Sequence, residues 1–132
     1  MLSNILAGIT GIAIAVAIVF LADKLSHMMY PLPEGLDASD MEALGDHIAT
    51  LPIGALLSVM AGWIVAAFVG SVVASRIGDA KAWIHPTVVG GFVFTATTAN
   101  LIVIPHPHWF TAVSLTAILA SAWLAWRVTP AN

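Results

Sequence analysis

Apolar residues run without a formal charge over 1–22, 48–75, 83–104 and 109–126, and each run is closed by a charge or a proline: Asp23, Arg76, Pro105 and Arg127. Each is long enough for a helix to cross about 30 Å of hydrocarbon, which takes roughly 20 residues at 1.5 Å apiece. The pattern predicts four membrane spans over about 3–24, 48–76, 83–104 and 109–127. The first is expected to stay uncleaved, because no Lys or Arg precedes Lys24 and Phe20 stands where a signal peptide would need a small residue before a cut after Ala22.

The stretch 30–47 breaks the apolar pattern. It opens with Tyr30-Pro31-Leu32-Pro33 and carries Glu34, Asp37, Asp40, Glu42 and Asp46. Prolines stop a helix there. Asp37 or Ser39 is a candidate cap for a short helix from Asp40, with Met41, Leu44 and Ile48 as its apolar stripe, lying at the membrane interface. Two short turns, around Gly78 and at Pro105-His106-Pro107-His108, make the last three spans antiparallel neighbours. The predicted fold is all-α: one membrane domain over 1–132, an antiparallel up-down-up-down four-helix bundle with a short interfacial helix in the first outer loop.

Composition excludes a soluble domain. Of 132 residues 60% are hydrophobic and 8% charged, with mean hydropathy +0.98, against about 25% charged in a soluble protein. Absence of cysteine removes disulfides, thiolate nucleophiles and thiolate metal sites. A net charge of −3 without a basic run leaves no surface for nucleic acid. Arg76, Lys81 and Arg127 fall on one side and Lys24 on the other, which predicts both termini in the cytoplasm and the acidic segment outside. Trp83, Trp123 and Trp126 on one side, and Tyr30, Trp109 and Phe110 on the other, suit interfacial belts; Trp63 does not and is expected inside the membrane.

The second span places a small residue at every fourth position: Gly54, Ser58, Gly62, Ala66, Gly70, Ala74 and Gly78. Lipid gives helices no hydrophobic reason to associate, so close backbone approach must supply the attraction. The row winds by about 40° per step, so one neighbour is not expected to use all of it. This helix is therefore either the centre of its own bundle or part of an oligomer interface.

Candidate chemistry gathers on the proposed outer side. Asp23 and His27 stand one helical turn apart, His106-x-His108 brings two imidazoles onto a turn, and His47 opens the second span. Asp23, His27, His106 and His108 form a candidate site for a divalent metal or for protons, with plain interfacial histidines as the alternative. Paired haem ligands on facing helices are not evident. Thr97 and Asn100 lie within the third span, where they would line a polar path or hydrogen-bond between helices. No Asp, Glu, Lys or Arg lies between the span ends, which argues against a proton-coupled pump. No nucleophile elbow, phosphate loop or zinc-protease motif occurs, so no enzyme is expected.

The runs His27-Met28-Met29-Tyr30-Pro31-Leu32-Pro33-Glu34-Gly35-Leu36-Asp37 and Asn100-Leu101-Ile102-Val103-Ile104-Pro105-His106-Pro107-His108-Trp109-Phe110, with Leu51-Pro52-Ile53-Gly54-Ala55 between them, carry a resemblance. The chain resembles an uncharacterised family of small bacterial four-span membrane proteins. The resemblance implies a bacterial inner-membrane location and a shared role for the outer face, and it carries no activity with it. Three functions stay open: a non-enzymatic scaffold or accessory subunit, an oligomeric transporter or channel for a small solute or ion, and a metal-binding membrane protein. The expected partners are the lipid bilayer and either a second copy or another membrane protein.

Overall fold

The computed structural model describes residues 1–129 and is all-α. Helix α1 spans Leu2–Met29, α2 Met41–Thr50, α3 Ile53–Ile77, α4 Ile84–Val103 and α5 His108–Val128. All but α2 are long and apolar enough to cross a membrane. They pack as a bundle, with α3 against α1, α4 and α5, and with α4 touching both α1 and α5.

Helix boundaries follow backbone chemistry rather than charge. Helix α1 runs five residues beyond the 24 expected, because Asp23 and Lys24 end the apolar pattern without obstructing a helix. Pro31 ends it by forcing Tyr30 out of the α region, to φ −131° and ψ 74°. Likewise the second span does not begin at residue 48. Residues 48–50 belong to α2, and Pro52 pushes Leu51 to ψ 144° and then serves as the N-cap of α3. The short helix is capped by Asp40, whose side chain accepts from the Ala43 amide at 3.1 Å, not by Asp37 or Ser39. Asp37 instead accepts from the backbone N–H and the hydroxyl of Ser39, at 2.9 and 2.7 Å. Those bonds hold its carboxyl below the usual carboxylate range. Gly35, at φ +85°, turns the chain between Pro33 and Leu36.

Helix α3 is the centre of the bundle, with 11 of its 25 residues buried. Its small-residue row meets α1 along nearly its whole length, so one neighbour uses more of the row than its winding implies. Gly54 faces the Tyr30 hydroxyl, Ser58 lies 3.3 Å from Ser26 between hydroxyl oxygens, and Gly62 faces Ala22. Gly70 and Ala74 face Gly11. The paired numbers fall on one side as they rise on the other, the mark of an antiparallel contact. Ala66 and Ala74 are completely buried. Helix α5 joins α3 through the Ser121 hydroxyl, which donates to the Ile64 carbonyl at 2.8 Å.

The two ends of the bundle differ. At one, the α1 N-terminus is tied to the α3–α4 turn: the Ser3 hydroxyl donates to the Asp79 carboxylate at 3.1 Å, and the Asp79 amide donates to Asn4 Oδ1 at 2.8 Å. At the other, α2 lies across the helix ends with Gly45 against the Pro105 ring, a methyl at Gly45 coming within 3.0 Å of it. Leu44 and Ile48 of its apolar stripe point into the space beneath.

Candidate functional site

Beneath α2 lies a chamber of about 280 Å³. Helix α1 contributes Asp23, Ser26 and His27, with Tyr30 at its C-cap; α2 contributes Leu44, His47 and Ile48; Asn100 and His106 come from the end of α4 and the turn after it. Trp63 and Phe110 are buried lining residues, with ring centroids 5.6 Å apart edge to face. His106 stacks on Phe110 at 5.2 Å with the planes 12° apart. The helix extension past residue 24 is what brings Ser26, His27 and Tyr30 to the wall.

A second cavity, of about 360 Å³, lies between α1 and α4. Its walls are apolar, with Ala15, Val16, Val19 and Phe20 on α1 and Phe92, Val93 and Ala96 on α4, together with Thr97. Asp23, Trp63 and Asn100 line both spaces. The chamber and the cleft therefore meet at one carboxylate, one indole and one amide.

The histidine rings are oriented by backbone. His27 Nδ1 lies 2.8 Å from the Asp23 carbonyl, and His106 Nδ1 lies 2.7 Å from the Ile104 carbonyl. A carbonyl only accepts, so both rings carry hydrogen on Nδ1 and keep Nε2 available. The expected contact of His27 with the Asp23 side chain is thus replaced by one with the Asp23 backbone. Burial lowers the pKa of His106 from its ordinary value, the bond to Ile104 opposing this more weakly, so its ring is neutral at neutral pH.

Among the described residues no three His, Asp or Glu side chains gather closely enough to hold a metal ion. Asp23, His27 and His106 line the chamber without forming such a group, and His108 lies outside it, exposed at the first residue of α5. Two of the four donors are turned toward backbone carbonyls of their own segments, which explains the missing convergence.

Asn100 does not make the interhelical hydrogen bond expected of a buried amide. Its side chain is exposed to the cavities and has no hydrogen-bond partner among the described residues. The Asp23 carboxylate, half-buried, also lacks an ion pair or hydrogen bond there. Thr97, one turn earlier than Asn100's neighbour Leu101, is buried and lines the cleft. Both side chains therefore keep hydrogen-bonding capacity that the described residues leave unused.

Trp63 and His47 are lining residues outside the sequence candidates. Trp63 was legible as an aromatic away from either belt, though not as part of a site. His47 was legible beside Asp46 but was not grouped with Asn100, because only the break at Pro52 turns α2 over the chamber. No known protein family, curated protein or solved structure matches the chain, so the likeness carried by 27–37 and 100–110 assigns no family. Its helices make it a multi-pass membrane protein with four spans.

Proposed function

We propose that the protein is a non-enzymatic membrane protein of the transport class, which receives a small solute in the chamber beneath α2. The observation that carries this reading is the junction of Asp23 and Asn100 where the chamber meets the cleft, two polar side chains with no hydrogen bond to any described residue. A polar crevice around Asn100 is what such a role requires and a pure packing protein does not. The scaffold reading drew on the small-residue row, but within the bundle Gly62 and Gly70 are already occupied by Ala22 and Gly11. That leaves no part of those positions for a partner.

Arg76, Lys81 and Arg127 lie toward the end opposite the chamber, and Lys24 alone lies near it. This supports a chamber mouth facing outward and termini in the cytoplasm, which in a bacterial inner membrane means a periplasmic mouth. The absence of cysteine allows a direct test. In sealed vesicles, Asn100→Cys is expected to react with a membrane-impermeant methanethiosulfonate, whereas Ile102→Cys, 78% exposed on the outer surface of the same helix, is expected to stay silent in lipid. An inert Asn100→Cys would remove the solute-binding reading.

A further inference from the structure

The cleft differs from the chamber beside it, which carries three imidazoles, a phenol and a serine hydroxyl among apolar side chains. Its walls are hydrocarbon, and Val16, Phe20 and Phe92 at its rim are 50%, 71% and 41% exposed on the lipid-facing surface. From Ala15 to Asp23 it follows α1 for eight residues, about 12 Å, the length of an alkyl chain of about ten carbons. Its polar end is Asp23 with Asn100. No Lys or Arg lines either space, and Asp23 is the one carboxylate in both. His27, His47 and His106 are the other titratable side chains around it apart from the Tyr30 phenol. The lining of the combined space thus holds one carboxylate and no Lys or Arg.

We propose that the ligand of this site is a single-chain cationic amphiphile that enters sideways from the bilayer, its ammonium head between Asp23 and Asn100 and its hydrocarbon chain in the α1–α4 cleft. The proposal rests on the solute-binding reading above and names the class of solute. A primary ammonium donates to the Asp23 carboxylate and to the Asn100 amide oxygen. An anionic amphiphile meets Asp23 with like charge, and a short amine leaves the cleft unfilled. Lateral entry follows from the cleft lying between two spans, where a chain already dissolved in lipid reaches it without crossing water.

The test uses the full chain in nanodiscs of zwitterionic lipid, with decylamine carrying a diazirine at the chain terminus as the probe. Photolabelling is expected to be saturable and to fall on 15–20 of α1 and 92–97 of α4. Decylamine in excess should compete, and decanoic acid and methylamine should not. Asp23→Asn is expected to lower specific labelling by about tenfold or more, the loss of one charge-assisted contact. Ala96→Phe, which fills the cleft from an exposed position, should abolish labelling of α1 while leaving the fold intact. Equal competition by decanoic acid, labelling spread evenly over α5, or labelling unchanged in Asp23→Asn would overturn the proposal. If any of these occurs while Asn100→Cys remains reactive to the water-soluble reagent, the amphiphile is wrong and the chamber reading stands. An unreactive Asn100→Cys overturns both.

Discussion

Gly11 and Gly70 face each other across the α1–α3 contact so closely that a methyl group on either would come within 2.6 Å of the other's carbonyl oxygen. The obstruction on each side is backbone, which has no rotamer to escape into. Gly70→Ala is therefore expected to destabilise the bundle by about 1–3 kcal/mol, the range for overpacking a tight contact. Gly91→Ala in α4 is the control, because a methyl there meets nothing within 4 Å. It should be neutral or slightly stabilising through helix propensity. Reversible unfolding in mixed micelles checks both, and equal effects of the two would contradict close α1–α3 packing.

Three buried serine hydroxyls separate by what they touch. Ser121 donates to the Ile64 carbonyl of the neighbouring helix, whereas Ser71 and Ser114 have no partner for Oγ among the described residues. Ser121→Ala should cost about 0.6 kcal/mol, the average for an interhelical hydrogen bond in a membrane. Ser71→Ala and Ser114→Ala should be neutral or stabilising, since each removes a polar atom buried without a bond. The same unfolding assay measures all three.

His106 gives the chamber a pH dependence of definite sign. Burial lowers its pKa in the folded state below the unfolded value of 6.5, so the unfolded chain takes up the proton first as pH falls. The stability linked to this ring is fully present above about pH 6.5 and declines as the solution is acidified below it, by at most about 1.4 kcal/mol per pH unit. His106→Phe keeps a ring to stack on Phe110 and removes the titration. Melting temperatures between pH 8 and pH 5 are expected to fall less in the variant than in the wild type. A fall of the same size in both would exclude His106 as the source.

Gly45 sets how closely α2 sits over the chamber. A side chain there would press the Pro105 ring, at 3.0 Å from the first added carbon. Gly45→Val is expected to lift α2 and raise the modification rate of Asn100→Cys several-fold. Bundle stability should change little, because α2 carries one buried residue. An unchanged rate would mean that α2 does not roof the chamber.

The spans were legible in sequence because hydrocarbon demands long apolar helices and only charge or proline interrupts them. The exact ends were less so. Asp23 and Lys24 end the hydropathy signal, while Pro31 ends the helix, and the six residues between include Ser26 and His27 of the chamber wall. Asn100 stood out as an amide in an apolar run, yet its relation to Asp23 depends on how α1 and α4 are rotated, which periodicity in a nearly uniform apolar helix does not encode. The four-donor metal set illustrates the converse. Asp23 and His27 are spaced to meet on a helix, but the ring turned to a backbone carbonyl that every helix offers.

The junction of chamber and cleft is tested most directly by its wetness in a bilayer. A nitroxide attached at position 100 is expected to be relaxed chiefly by a water-soluble nickel chelate, and one at position 102 chiefly by oxygen dissolved in lipid. Oxygen-dominated relaxation at both positions would contradict a hydrated chamber reaching Asn100.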